Sequence, residues 1–109
     1  MKVKLPSEVR IGTHTFKIRF DPHLFSDENK YGLINYRAQE INIWSEAPLS
    51  TKNEALLHEI IHLSQHVYRV EISDQDIDRV AETIGEFLFN NLGIEFDWSC
   101  ISENVDKVS

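Results

Sequence analysis

The hydrophobic pattern of this chain changes period near its midpoint, and this change constrains the fold more than any other feature. Up to about residue 48, apolar and polar residues alternate, as they do in half-buried strands. Beyond that point, apolar residues recur every three or four positions, which is the spacing of an amphipathic helix. The sequence therefore predicts an α+β fold, in which a small antiparallel sheet from the first half packs on two antiparallel helices from the second.

Two hairpins are predicted in the first half. Val9–Phe20 alternates apolar and polar residues around a turn near Gly12, so this segment is expected to form the first hairpin. Asp21–Lys30 contains proline, serine, aspartate and asparagine, and it is predicted to be a loop. Tyr31–Tyr36 and Glu40–Trp44 are then expected to pair as the second hairpin.

The first predicted helix begins with a capping-box pattern, in which Thr51 is followed three residues later by Glu54. The helix is expected to end near Arg69. Its apolar positions recur at a helical spacing and are Leu56, Ile60, Leu63 and Val67. Because most of the flanking residues are also apolar, this helix is expected to be buried on most of its sides.

The second predicted helix starts at Ser73, with Asp74 and Asp76 in a first turn where the helix dipole favours negative charge. Gly93 is expected to cap the end of this helical region. The predicted apolar stripe consists of Ile77, Val80, Ala81, Ile84, Phe87 and Leu88. A short final strand or a packed extension is predicted where Ile94, Phe96 and Trp98 alternate with other residues, and residues 102–109 are expected to form a loose tail.

Length and composition indicate one globular domain spanning residues 1–109, with a core from about residue 9 to residue 98. The 18 acidic and 11 basic residues give a formal charge of −7, and the basic residues are scattered singly. Nucleic acids and anionic membrane surfaces are therefore not expected as partners. Cys100 is the single cysteine, which excludes an internal disulfide and a cysteine-based zinc site. With no signal peptide or membrane span in the sequence, we expect a cytoplasmic protein.

The most informative motif is His58-Glu59-Ile60-Ile61-His62, which has the H-E-x-x-H pattern and lies within the first predicted helix. Residues four apart on a helix share a face, so both imidazoles can bind one metal ion, and zinc is the metal expected. Glu59 points about 100° around the helix from His58. From there its carboxylate can serve as general base and then general acid for a zinc-activated water.

Catalytic zinc sites have three protein ligands, and the second helix offers two candidates for the third. Asp78 and Glu82 lie four residues apart, on one face of that helix. Either carboxylate can face the two histidines if the helices are antiparallel neighbours. Alternatively, these carboxylates belong to a solvated acidic edge. His66 is a poor candidate, because a rigid helix spreads three successive turns over about 12 Å.

The sequence also resembles a known family. The segments Leu56–Leu63 and Asp78–Leu88, preceded by a pair of hairpins, look like the small phage and bacterial zincin-like proteins related to ImmA/IrrE-type metallopeptidases. The resemblance covers residues 9–92. It implies a minimal gluzincin-like fold in which Asp78 binds the metal and Glu82 orients a ligand histidine. Where those enzymes carry glutamate as third ligand, this chain has the shorter aspartate, which leaves Glu82 as the alternative ligand.

The same resemblance implies that an extended substrate lies antiparallel to an edge strand, predicted here to be the one that ends in Ile41–Trp44. An oxyanion-stabilising residue is also expected, and the sequence leaves four candidates: Tyr31, Tyr36, Arg37 and Tyr68.

Taken together, the motifs predict a zinc-dependent metallopeptidase-like protein that hydrolyses peptide bonds, with a peptide or protein as its substrate. His58 and His62, with Asp78 or Glu82, are the predicted metal ligands, and Glu59 is the predicted catalytic residue. One alternative is a metal-binding but non-catalytic scaffold or regulatory protein-interaction module. Another is a metal-free interaction domain in which the histidines are incidental. The oligomeric state and the substrate are left open.

Overall fold

Seven short strands and three α-helices occur in residues 1–103, the part of the chain that this computed structural model describes. The strands are β1 (Lys2–Lys4), β2 (Glu8–Ile11), β3 (His14–Asp21), β4 (Gly32–Asn35), β5 (Glu40–Trp44), β6 (Glu95–Asp97) and β7 (Ser102–Glu103). The helices are α1 (Leu24–Glu28), α2 (Leu49–Tyr68) and α3 (Asp74–Gly85), and α3 continues into a π-helical segment, Glu86–Asn91. The predicted α+β class is confirmed.

The main sheet is mixed, so the prediction of an all-antiparallel sheet is wrong in part. Its strands lie in the order β2-β3-β5-β4, and β7 pairs with the second half of β3. The two predicted hairpins are present as β2–β3 and β4–β5. However, β5 inserts between β3 and β4 and runs parallel to β3. The connection through α1 and β4 makes this possible, because a parallel pair needs a crossover between its strands.

Strand β5 is the centre of the core. Ile41 and Ile43 are fully buried on one face of this strand. They belong to a cluster with Phe16 and Ile18 of β3, Leu56 and Leu63 of α2, and also Leu5, Trp98 and Ile101 from the chain ends. The Trp98 indole donates a hydrogen bond of 2.9 Å to Asn53 Oδ1 within this interior. Burial of these side chains fixes α2 against the sheet.

The segment Asp21–Lys30 contains a short helix, so the prediction of a simple loop there is wrong. Leu24 of α1 is fully buried, and α1 packs against β5. Phe25 stacks on both Tyr31 and Trp44, with ring centroids 5.3 and 5.0 Å apart. Stacked aromatic rings of this kind add to the stabilisation that comes from burial alone. They explain why a sequence rich in turn formers still folds into a helical turn.

The start of α2 also differs from the prediction. Pro48 is the N-cap residue, no side chain caps the helix, and Thr51 lies inside the first turn. Proline has no backbone N–H, so it suits the beginning of a helix, where that donor would be unsatisfied. The helix ends as predicted, with Arg69 in the left-handed conformation at a φ of 57°.

Helix α3 begins as predicted, because Ser73 Oγ accepts a hydrogen bond from the Asp76 backbone N–H. Its buried face is narrower than the predicted stripe. Only Ile77, Ala81 and Gly85 are buried, at a spacing of four residues that fits a close seam with α2. The stripe residues Val80, Ile84 and Phe87 are exposed instead.

The end of the helical region and the final strand agree with the sequence. Gly93 follows the π-helical segment with a φ of 66°, which suits a glycine cap. Strand β6 then pairs in parallel with β1, which the sequence pattern did not reveal. Ser102 and Glu103, predicted to belong to the tail, form β7, and residues 104–109 of that predicted tail lie outside the described residues. Across residues 1–103, no helix combines the length and the apolar character needed to cross a membrane.

Replacing Gly12 with alanine is expected to destabilise the fold more than the same change at Gly93. Both glycines have positive φ, so each substitution carries a backbone cost of about 1 kcal/mol. At Gly12 the added Cβ would also lie 2.7 Å from Val67 Cγ1, where the hairpin turn meets the end of α2, whereas at Gly93 nothing lies within 4 Å. Urea denaturation should show an additional loss of roughly 1–3 kcal/mol for Gly12→Ala. Equal losses in the two variants would contradict this packing.

Candidate functional site

The site is built where α2 and α3 face each other as antiparallel neighbours. His58 and His62 lie one turn apart on α2, and Asp78 and Asp74 lie one turn apart on α3. His58 Nδ1 is 2.7 Å from Asp78 Oδ1, and His62 Nε2 is 3.9 Å from Asp74 Oδ1. The structure therefore brings the predicted histidines together with one of the two predicted carboxylates.

The two imidazole rings approach each other at the edges that could bind a metal. His58 Nε2 and His62 Nε2 are 3.0 Å apart. The Asp78 carboxylate is an acceptor, so His58 Nδ1 carries the hydrogen of the 2.7 Å contact. The lone pair of a neutral His58 is then on Nε2 and points at His62.

Gln65 sets the tautomer of His62 in the same way. The Gln65 amide nitrogen donates a hydrogen bond of 2.7 Å to the Ile72 carbonyl, which assigns the other amide atom as the oxygen. That oxygen lies 3.0 Å from His62 Nδ1, so Nδ1 is the donor. A neutral His62 therefore also presents a lone pair on Nε2. Two acceptors that face each other at 3.0 Å need a proton or a cation between them.

Two histidines, but not a full ligand set, meet in this arrangement. Within residues 1–103, no group of three or more histidine, cysteine, aspartate or glutamate side chains has an arrangement that could hold a metal ion. Asp78 contacts Nδ1 of His58, on the side of the ring away from the paired Nε2 atoms, where a carboxylate orients a ligand histidine. Glu82 lines the same groove as the histidines. The pair of Nε2 atoms is a geometry in which two histidines could share one cation, and both zinc and its third ligand stay predictions.

Glu59 lies beside the histidines in an environment that disfavours its charge. Only 8% of its surface is exposed, and no described residue donates a hydrogen bond to its carboxylate. Burial raises the pKa of Glu59 above its usual value, with a further rise from Asp74, while His58, His62 and Lys30 act in the opposite direction. A carboxyl group with a raised pKa suits proton transfer near neutral pH.

Gly32 allows the close packing of Glu59 against the sheet. A Cβ atom at this position would lie 3.0 Å from Glu59 Cγ and 3.2 Å from Glu59 Oε2. Any larger residue would push the carboxylate away from its place in the groove. The sequence suggests close packing at this glycine but does not reveal its partner, because the contact joins residues that are far apart in the chain.

A groove of about 770 Å3 runs over this site. Helices α2 and α3 form one side, and residues 29–33, which lead into β4, form the other. Strand β4 is the edge strand, so the prediction that Ile41–Trp44 ends an edge strand is wrong: β5 has a partner on each side. The sequence could not distinguish the two strands of this hairpin, because β5 becomes internal only through its parallel pairing with β3.

Two residues of β4 leave their backbone groups unpaired by β5. The Trp44 N–H donates to the Tyr31 carbonyl at 2.8 Å, and hydrogen-bonded pairs alternate along an antiparallel ladder. Leu33 and Asn35 therefore direct their backbone groups toward β5, as Tyr31 does. Gly32 and Ile34 direct theirs away from β5, at the free edge, where an extended chain can pair with them.

The four candidates for an oxyanion-stabilising residue lie in different places. Tyr31 lines the groove. Tyr36 packs on His66, with ring centroids 4.3 Å apart, and burial followed by the negative charge of Glu59 raises its pKa. Arg37 is exposed in the turn between β4 and β5, and Tyr68 is exposed at the end of α2. Of the four, Tyr31 is the one that lines the groove.

Asp74 and Gln65 are the site residues that the sequence analysis did not assign to the site. The sequence pattern places Asp74 in the first turn of the second helix, where the helix dipole favours negative charge. A signal for it exists in the spacing, because His58–Asp78 and His62–Asp74 are successive pairs of two antiparallel helices, one turn apart. Gln65 had no such signal, since its role depends on the carbonyl of Ile72 in the connection between the helices.

Comparisons with known proteins add no family to this description. No protein-family model matches the chain, and neither a curated protein nor a solved structure is significantly similar to it. The resemblance to zincin-like metallopeptidases therefore stays a prediction. The functional argument depends on the side chains of the groove.

Replacing Glu59 with glutamine is expected to stabilise the metal-free protein at neutral pH. A carboxyl group whose pKa is raised by folding binds its proton more tightly in the folded state, so its contribution to stability falls as pH rises through that pKa. Glutamine removes this loss. Thermal denaturation in the presence of a chelator should show a Tm several degrees higher for Glu59→Gln, because about 1 kcal/mol corresponds to roughly 4–8 °C in a domain of this size.

The pH dependence provides the control for this prediction. The advantage of Glu59→Gln should shrink as the pH falls and Glu59 of the wild-type protein becomes protonated. The same change at the exposed Glu95 of β6 should leave Tm nearly unaltered. A Glu59→Gln variant that is less stable than wild type at neutral pH would show that the buried carboxylate is not strained by its surroundings.

Proposed function

We propose that this protein is a zinc-dependent metallopeptidase-like protein that hydrolyses peptide bonds. The observation that carries the proposal is the pair of Nε2 atoms 3.0 Å apart, each with its lone pair fixed by a partner at Nδ1, beside the buried carboxylate of Glu59. Histidines that were merely exposed on the surface would not need this arrangement. A pair of metal ligands next to a general base would require it.

His58 and His62 would hold the zinc ion through Nε2, with Asp78 orienting the first ring and Gln65 the second. Asp78 and Glu82 remain the predicted third ligands. Asp74 joins them as a candidate, because its Oδ1 lies 3.9 Å from His62 Nε2, one of the two proposed ligand atoms. The Asp78 carboxylate, in contrast, is hydrogen-bonded to Nδ1 of His58, on the other side of that ring. Bound zinc would lower the pKa of a water molecule and polarise the substrate carbonyl.

Glu59 would move the proton. Its carboxylate would accept a proton from the attacking water and deliver it to the nitrogen of the departing amine, which balances the hydrolysis. Burial favours the protonated form of Glu59, and this would make its carboxylate a stronger proton acceptor in the first of these transfers. Gly32 keeps the carboxylate next to the strand edge, where the backbone of a bound peptide would lie.

The substrate would be an extended segment of peptide that adds a strand to the free edge of β4. The outward backbone groups of Gly32 and Ile34 would supply the main-chain hydrogen bonds. Tyr31 would contact the bound chain on the same side of the groove. The groove between β4 and the two helices would give this short chain a cleft for its substrate.

A metal-binding scaffold or regulatory protein-interaction module is the second candidate. It is favoured by the absence of a third assembled ligand among the described residues. A structural zinc site does not need a general base, however, so the position of Glu59 favours the catalytic function over the scaffold.

Metal content tests this proposal first. Protein purified without a histidine tag should contain about one zinc ion per chain by elemental mass spectrometry, and a His58→Ala/His62→Ala variant should contain none. Protein that holds no zinc after incubation with zinc and dialysis would exclude both metal-dependent functions and leave a metal-free interaction domain.

Glu59→Gln then distinguishes the peptidase from the scaffold. The variant should keep its zinc and lose peptide hydrolysis by a factor of about 100 or more, because it cannot accept a proton. Digestion of a mixed peptide pool, analysed by mass spectrometry, provides the measurement. Equal digestion by wild type and Glu59→Gln would indicate a contaminating protease and contradict the assignment of Glu59 as the base.

A further inference from the structure

Helix α3 and the π-helical segment after it carry an apolar stripe that the described residues leave exposed. The stripe consists of Val80, Ile84, Phe87 and Leu92, whose surfaces are 42, 39, 56 and 50% exposed. The first three recur at the spacing of an amphipathic helix. Packing of α3 on α2 uses a different row, Ile77 to Gly85, and therefore leaves this stripe to the solvent.

The π-helical segment extends the stripe by one turn. The Leu92 N–H donates a hydrogen bond of 3.0 Å to the Phe87 carbonyl, five residues earlier. Leu92 therefore follows Phe87 by one turn of the wider helix, whereas a regular α-helix would place the polar Asn91 there. π-Helical turns are rare and are frequent at functional sites. Here the wider turn keeps the exposed face apolar over four successive turns.

Polar side chains that border the stripe make their hydrogen bonds within their own helix. Thr83 and Asn91 lie four residues before and after Phe87, so both lie beside it. Thr83 Oγ1 donates to the Arg79 carbonyl at 2.8 Å, and Asn91 Nδ2 donates to the Glu86 carbonyl at 3.1 Å. A partner can cover both side chains without leaving these donors unpaired, which is the main cost of covering a polar group.

Charge is distributed unevenly around α3. Asp74, Asp78 and Glu82 line the groove, so this side of the helix is acidic. One turn before Val80, in contrast, the charge of Asp76 is balanced by Arg79, whose Nη1 lies 3.7 Å from Asp76 Oδ1. Two copies of a chain with a charge of −7 repel each other. They can approach along the stripe with less repulsion than along the groove side.

The area of the stripe fits a small interface between two copies of this chain. At these exposed fractions, the four side chains offer roughly 300–400 Å2 of apolar surface, which matches the largest patch on a typical monomer. Homodimer interfaces are about 65% apolar, so two such stripes with their polar rim correspond to about 1,000–1,200 Å2 of buried surface. This total is near the lower end of the range for specific interfaces.

We propose that the stripe joins two copies of this chain, with α3 of one copy packed on α3 of the other across a two-fold axis. A two-fold axis brings the same surface of both copies together, so one stripe per chain is sufficient. None of the four stripe residues is among the described residues that line the groove, so the dimer leaves the groove open. The dimer requires neither zinc nor peptide hydrolysis.

Sedimentation equilibrium of the full chain tests this proposal. A chelator in the buffer excludes association through a bridging metal ion. Between about 1 and 300 µM, the average mass should rise from that of one chain toward that of two, with a Kd of roughly 1–100 µM for so small an interface. Added salt should strengthen the association, because it screens the repulsion between two negative chains. The mass of one chain at all concentrations would overturn the proposal.

Variants of α3 show whether the stripe forms the interface. Phe87→Glu should raise the Kd at least tenfold, because it places a charge in the apolar contact. Phe87→Leu should keep the Kd within about threefold. Gln75→Glu is the matched control, since it adds the same charge to α3 five residues before Val80, on a different face. Its Kd should equal that of wild type.

Circular dichroism of each variant confirms that the fold is retained, as expected for exposed positions. A dimer that survives Phe87→Glu would show that another surface joins the two copies and would overturn the proposal. Equal weakening by Gln75→Glu, or dissociation by added salt, would indicate an electrostatic contact and contradict an apolar interface.

Discussion

Packing of α2 on β5 is the interaction on which the rest of the structure depends. Leu56 and Leu63 cover Ile41 and Ile43 with almost complete exclusion of water, which anchors one side of the helix to the sheet. The helical period then directs His58 and His62 toward α3 and places Glu59 against Gly32 at the edge of the sheet. One hydrophobic contact thus fixes both the orientation of the motif and the width of the groove beside it.

Helix α3 completes the site because it packs closely along a narrow seam. Ala81 and Gly85 are small, so the two helices approach each other, and Asp78 reaches His58 although an aspartate side chain is short. This arrangement gives the shorter side chain a role that the family resemblance did not assign to it: it orients the histidine through Nδ1. The exposed Val80 and Ile84 lie outside this seam.

Much of this fold could be predicted from local patterns. The alternation of Ile41 and Ile43, the serine cap at Ser73 and the end of the first long helix near Arg69 are encoded by short segments, and each was predicted correctly. The parallel pairing of β3 with β5 was not, because it joins segments that have no sequence signal for each other. The same limitation hid the edge position of β4 and the contact between Gly32 and Glu59, and both of these define the groove.

The tautomers of His58 and His62 provide the most direct test of the central claim, that these rings present two lone pairs for a metal ion. Nitrogen NMR of the 15N-labelled histidine rings should show the hydrogen on Nδ1 of both residues in the neutral, metal-free protein. Addition of zinc should then shift the Nε2 resonances of both histidines at a ratio of about one ion per chain. Hydrogens on Nε2, or Nε2 resonances that do not respond to zinc, would contradict the account.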